Sequence, residues 1–232
     1  MNIGIKIFPD RWRQIPGLTG FSDFIEVMAV PGFNPRKIPK TKFTVHAPHE
    51  MFKMNPADSR LESLNDDLMQ QTIKLADKLK AKVIVLHSGK ILNKSCSEKN
   101  SLDFIRNIKD KRVILENQCN GGILDTPEKV KKFMKKTGKD FCLDFSHAIA
   151  SAHSHDKKTG HFLKRFLDLN PSYFHICDGY NDGKDRHLDL GKGHYDLSFI
   201  KKAVGKKPVV LETKTHTVQA YRRQIKLLKD GI

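Results

Sequence analysis

The chain has 232 residues, 38% hydrophobic and 29% charged, which suits one large globular domain and excludes a disordered or membrane-bound chain. A formal net charge of +16 fits a surface that meets polyanions. It equally fits a lysine-rich surface kept solvated, because the basic residues are spread along stretches such as KVKKFMKK and RRQIKLLKD. No apolar run approaches the roughly 18 residues of a membrane span, and MNIGIKIFPD has none of the parts of a signal peptide. A cytoplasmic monomer is expected, with Cys96, Cys119, Cys142 and Cys177 as reduced, mostly buried thiols lacking any CxxC spacing.

In chain order, short apolar runs alternate with helical patterns. IGIKIF (residues 3–8) is a strand, followed by the loop PDRWRQ and a second strand, FIEVM (24–28). FTVH ends at His46. Residues 59–80 then carry Leu61, Leu64, Leu68, Ile73, Leu75 and Ala76 near a 3.6 period. KVIVLH ends at His87, before a helix over 101–109. RVILE ends at Glu116, before a helix over 126–136 that opens Thr-Pro-Glu, a cap followed by proline at the first helical position. DFCLD ends at Asp144, SYFH at His175 and PVVLE at Glu212, with helices over 161–169, 196–204 and 218–229. Eight strand–helix units without a linker predict an α/β fold, a (β/α)8 TIM barrel, as a single domain over 1–232. A doubly wound open sheet is the runner-up, but it would gather its ligands at one crevice and not from six successive strands.

Six of these strands end in His, Asp or Glu. His147 follows Asp144 by three positions, and Asp185 and His187 follow His175 in a DRH triplet. One such residue is usually only a hydrogen-bonded polar group. Nine at corresponding places share the C-terminal rim, where barrel active sites lie. Five histidines and four carboxylates packed together are costly to desolvate without cations. Imidazole and carboxylate without thiolate suit Zn, and also Mn, Fe or Co. Nine ligands suffice for two or three ions, which can activate water and clamp the oxygens of a phosphoester.

The segments FTVHAP, VLHSG, VILENQ, FCLDFSHA, FHICDG, DRHLDLGKG and VVLET resemble endonuclease IV, AP endonuclease family 2, within the xylose isomerase-like TIM barrels. The likeness spans roughly residues 41–213 and fills all nine metal positions. It implies three zinc ions: His46 and His87 on the first, Asp144, His175 and Glu212 on the second with Glu116 bridging these two, and His147, Asp185 and His187 on the third. It implies that hydroxide activated by the metal attacks the phosphodiester 5′ to an abasic site in damaged duplex DNA. Glu116 and Glu212 are then the catalytic carboxylates. The chain departs from the family where an aromatic–aliphatic pair usually presses into the DNA stack after strand 3: His49 and Glu50 stand there, with Met51 and Phe52 next. Arg11, Trp12 and Arg13 in the first loop, together with His49, are the candidate substrate contacts. The same superfamily also offers a sugar or sugar phosphate isomerase or epimerase, which would use one divalent ion on Glu116, Asp144, His175 and Glu212, with two of the glutamates moving protons.

Overall fold

The computed structural model describes residues 1–30, 33, 41–215 and 217–230. Eight parallel strands close into a barrel in sequence order: β1 (Asn2–Ile7), β2 (Phe24–Met28), β3 (Phe43–His46), β4 (Ile84–His87), β5 (Val113–Glu116), β6 (Asp140–Asp144), β7 (Tyr173–Ile176) and β8 (Pro208–Leu211). The predicted (β/α)8 architecture is therefore present. Around it lie α1 (Ile15–Leu18), α2 (Glu62–Leu79), α3 (Glu98–Asn107), α4 (Pro127–Thr137), α5 (Phe145–Ser154), α6 (Thr159–Leu167), α7 (Leu197–Val204) and α8 (Val218–Asp230). The first unit is short, with a 3-10 turn over Pro9–Gln14 leading into the single turn of α1. Among the described residues, no helix is long and apolar enough to cross a membrane.

Local chemistry explains the helix ends. Thr126 accepts a hydrogen bond from the Lys129 amide and Pro127 fills the first turn, as the sequence predicts for α4. Helix α3 begins three residues before the predicted start, because Ser97 caps it by accepting from the Asn100 amide at 3.1 Å. Helix α5 is not predicted from the sequence. Its residues Phe145 to Ala152 are all buried, so FSHAIASAHS has no polar face and no amphipathic period to find.

The inside of the barrel is built in two layers. Phe24, Val85, Ile114, Cys142, Tyr173 and Val210 form an apolar cluster apart from the main core, and they close the lower layer. Gly4 completes that layer, since a Cβ there would collide with the Phe24 ring. Side chains in a strand return to the same face every second residue. Two residues beyond each lower-layer position stand Lys6, Glu26, His87, Glu116, Asp144, His175 and Glu212, and His46 stands two beyond Thr44. Strand pairing levels them, with Lys6 opposite Glu26, His87 opposite Glu116 and Asp144 opposite His175. Every strand thus delivers one ionisable group to the upper layer.

Candidate metal centre

Glu116 lies at the middle of that layer. One of its oxygens is 3.0 Å from His46 Nε2 and 3.1 Å from His87 Nε2. The other is 3.2 Å from His175 Nδ1 and 3.4 Å from His147 Nδ1. His175 Nδ1 also lies 2.9 Å from Glu212 Oε2. Donor atoms of Glu116, Asp144, His175 and Glu212 all fall within 4.8 Å of one another, as do those of His46, Glu116 and His175, and those of His87, Glu116 and His147. Farther out, Asp185 Oδ2 is 2.8 Å from His187 Nε2 and 3.4 Å from His147 Nε2. The structure brings all nine predicted residues to one rim.

Most of the rings are already turned for coordination. A metal-binding imidazole normally gives its other N–H to an acceptor, which fixes the tautomer. His46 Nδ1 donates to the Ala47 carbonyl at 2.6 Å, His147 Nδ1 to that of Asn117 at 2.9 Å and His187 Nδ1 to that of Glu212 at 2.8 Å. His46 is left with Nε2 facing Glu116, and His147 and His187 with Nε2 facing Asp185. His175 is turned the other way, with Nε2 3.1 Å from the Glu26 carboxylate and Nδ1 inward. Asp144 has two roles: one oxygen caps α5 through the His147 amide at 2.8 Å, which also orients His147. The residues therefore fit a divalent metal cluster in donor type, in ring orientation and in proximity.

Electrostatics agree. Burial alone would keep His147, His175 and His187 neutral, but the surrounding acidic groups outweigh it and raise all three well above the ordinary imidazole value. Burial alone would also raise Glu116 and Glu212. For Glu116 the histidines prevail, and for Glu212 it is Lys6 first and then His175, so both stay well below the carboxylate norm. For Asp144 burial outweighs the His147 charge and the neighbouring carboxylates add to it, pushing it up to about 6. Positive charge is what this cluster demands, and protons or metal ions can supply it.

Several residues of the centre were not found from the sequence. Lys6 Nζ is 2.8 Å from Glu212 Oε1, and its side chain is 3% exposed. Glu26 is fully buried and accepts from Tyr173 Oη at 3.0 Å as well as facing His175. Cys177 groups with Asp185 and His187 within 4.8 Å. Asp178, in FHICDG, organises the outer loop: it accepts from the amides of Gly179 (2.8 Å), Gly191 (2.9 Å) and Tyr195 (3.2 Å), and its backbone pairs with Leu188. Gly193 is needed there, because a Cβ would collide with Asp178 Oδ1. His187 takes a left-handed backbone, φ 53°, inside this loop.

A cavity of about 660 Å³ opens above the centre, lined by Glu212, His87, His147, Asp185 and His187 and by the cations Lys6, Arg11, Lys90 and Lys214. His49 lines it too. Arg11 is held by a hydrogen bond to the Thr215 carbonyl. Trp12 stands apart, packed edge-on against Phe33 with ring centroids 4.7 Å apart, and Arg13 is exposed outside the cavity lining. All four cysteines are buried and free.

A closed parallel barrel whose C-terminal rim gathers imidazoles and carboxylates defines a class of (β/α)8 barrel with candidate metal ligands at that rim. Residues 37–231 match the family described as Xylose isomerase-like TIM barrel, and the chain belongs to it. The chain is 27% identical over 230 residues to Probable endonuclease 4 of Mycobacterium leprae, covering 90% of this chain and 84% of that protein. Among solved structures it is similar to a D-tagatose 3-epimerase-like protein, with TM-score 0.80, 19% identity and coverage of 99% and 96%. It is also similar to endonuclease IV from Thermus thermophilus, with TM-score 0.72, 14% identity and coverage of 99% and 98%. These two structural likenesses speak to the fold.

Proposed function

We propose that the protein is a divalent-metal-dependent phosphodiesterase that incises damaged duplex DNA on the 5′ side of abasic sites. The carrying observation is the outer group, His147, Asp185 and His187, set beside a complete inner group of Glu116, Asp144, His175 and Glu212. An isomerase or epimerase needs only the inner group. The donor set favours zinc, in two or three ions, with Mn, Fe or Co as the alternatives. When bound, such ions polarise a phosphoryl oxygen and lower the pKa of water. The chain's own residues do the rest. Glu116 and Glu212 hold negative charge at the heart of the site, and Lys6 keeps Glu212 ionised and in place. Lys90, Lys214 and Arg11 offer the cavity wall to phosphate oxygens. Met51, 81% exposed and lining the same cavity, is placed to press on an unstacked base where His49 and Glu50 replace the family's wedge.

The alternative is a sugar or sugar phosphate isomerase or epimerase, favoured by one observation: the inner four residues form a self-sufficient site at the floor of a cavity large enough for a small substrate. A labelled abasic duplex incubated with metal-replete enzyme separates the two. Incision leaving a 3′ hydroxyl, lost in His87→Ala and weakened at high salt through lost phosphate contacts, is expected. Absence of incision at every salt concentration, with conversion of a ketose or ketose phosphate that survives His87→Ala, would replace the nuclease reading by the epimerase one.

A further inference from the structure

Of the five candidate ligand histidines, His87 differs from the rest in its outer nitrogen. In His46, His147, His175 and His187 both ring nitrogens have a hydrogen-bond or ion-pair partner, one of them a backbone carbonyl or the Glu26 carboxylate. His87 Nδ1 is buried and has no hydrogen-bond partner. It is one of three such atoms in the same small volume, the others being His49 Nδ1 and Glu50 Oε2. A donor atom of each of these three residues lies within 4.8 Å of the other two. The His49 and His87 rings stack at 5.3 Å with an interplanar angle of 29°, and His49 Nδ1 is 3.7 Å from Glu50 Oε2.

The local sequence builds this trio. His46 ends β3, and Ala47 and Pro48 connect it to the rim. His49, itself extended, precedes the 3-10 turn Glu50–Phe52, which folds Glu50 back against it. Lys90 Nζ holds Glu50 Oε1 at 2.5 Å, so the second oxygen is left to the trio. His49 Nδ1 and Glu50 Oε2 face each other at 3.7 Å, beyond hydrogen-bond distance, and both are buried without a partner. With the proton of His49 on Nε2, its Nδ1 lone pair and the Glu50 carboxylate oxygen are both acceptors. A cation satisfies both at once.

We infer that His49, Glu50 and the outer nitrogen of His87 form a further divalent-cation site, adjoining the nine-residue centre through the shared His87 ring. Two imidazoles and one carboxylate suit zinc, cobalt or nickel, and three protein ligands leave positions for water or substrate. With cations on both nitrogens the His87 ring is an imidazolate, and its remaining N–H proton passes to solvent as the second ion binds. The site lines the same cavity as the centre, where the sequence departs most from endonuclease IV. It extends the cluster toward the mouth and places positive charge where the family usually has a wedge.

The test counts metal without substrate, so its outcome is independent of whether DNA is cut. The full-length protein is stripped with a chelator, reloaded at a fixed free zinc concentration, and assayed by elemental analysis. His49→Ala and Glu50→Gln should each hold about one equivalent less than the wild type. The double variant should lose no more than either single one, and Asp185→Asn should lose metal additively with them. Cobalt loading should show a matching drop in visible absorption. Glu50→Gln preserves shape, so the question stays decidable if His49→Ala fails to fold. Unchanged zinc content in both variants would overturn the site. So would loss of two or more equivalents on either substitution, which would make the trio a hydrogen-bonded support for His87.

Discussion

Glu26 is reached by no solvent, and what surrounds it explains why a charge can be kept there. Tyr173 and His175 hydrogen-bond to it, and the Lys6 ammonium lies 4.0 Å away. Burial would raise its carboxyl, but His175 and then Lys6 hold it below the usual range. The consequence falls on His175, whose Nδ1 is turned to the centre only because Nε2 is occupied. Glu26→Gln keeps the volume and removes the charge. It is expected to weaken metal retention by about 10–100-fold, read by competition with a chromophoric chelator, with the melting curve of the metal-free protein showing whether the fold persists. Equal retention would show that His175 needs no such orienting partner. Lys6 answers a different question. Lys6→Met leaves His175 as the one cation between the Glu212 and Glu26 carboxylates, and should cost the metal-free protein about 3–5 kcal/mol in urea unfolding. The cost should be smaller with metal bound, since the ion then supplies the missing charge.

At the scale of elements, the loop from Asp178 to Tyr195 delivers Asp185 and His187 to the rim, and Asp178 ties its two ends together. Asp178→Ala removes an acceptor from three backbone amides, one fully inside the loop's return. Stability should fall by about 3 kcal/mol, and metal content should fall while the inner four residues keep theirs. A variant with full metal content would show that the loop finds its place without the staple. This loop also shows what a sequence can and cannot reveal. The strands were legible because β3 to β6 end on their ligand, so the apolar run and the chemistry stop together, and Glu212 follows β8 by one residue. Lys6 and Glu26 were missed because β1 and β2 run on past them. A charge inside a strand reads as the solvent side of an alternation, and only barrel closure turns it inward. Helix α5 was missed for the opposite reason, being buried along nearly its whole length. HICDG and LGKG stood out as motifs, yet their task, with Asp178 caging backbone amides against Gly193, depends on contacts between residues 13 to 17 positions apart. Trp12, chosen as a candidate substrate contact, packs against Phe33, which is distant in sequence from the first loop.

For the whole molecule, the centre couples folding to metal and to pH, and its groups divide by sign. His46, held low by burial and Lys6, costs stability as pH falls below the ordinary imidazole value, whereas three other histidines do the opposite. In the metal-free protein His147, His175 and His187 have pKa values raised by the acidic groups around them, and Asp144 is pushed up to about 6. Each folded-state value lies above its unfolded one, so the folded chain binds the extra protons. For the histidines that stability is fully present below the unfolded imidazole value, about 6.5, and is lost as pH rises through the raised values. Metal reverses the dependence. It binds deprotonated ligands, so protons compete with it and its affinity grows with pH. The gain in melting temperature on adding zinc to stripped protein should therefore be large at pH 8 and shrink steadily toward pH 6. At a free zinc concentration about a hundred times the dissociation constant, mass action supplies about 2.7 kcal/mol. For a domain of this length that is roughly 5–10 °C. Calorimetric scans of stripped and zinc-loaded protein across this range measure it. Curves that coincide at pH 8, or a zinc effect that grows on acidification, would mean that the cluster is held together by its own protons and ion pairs and takes no metal as part of folding.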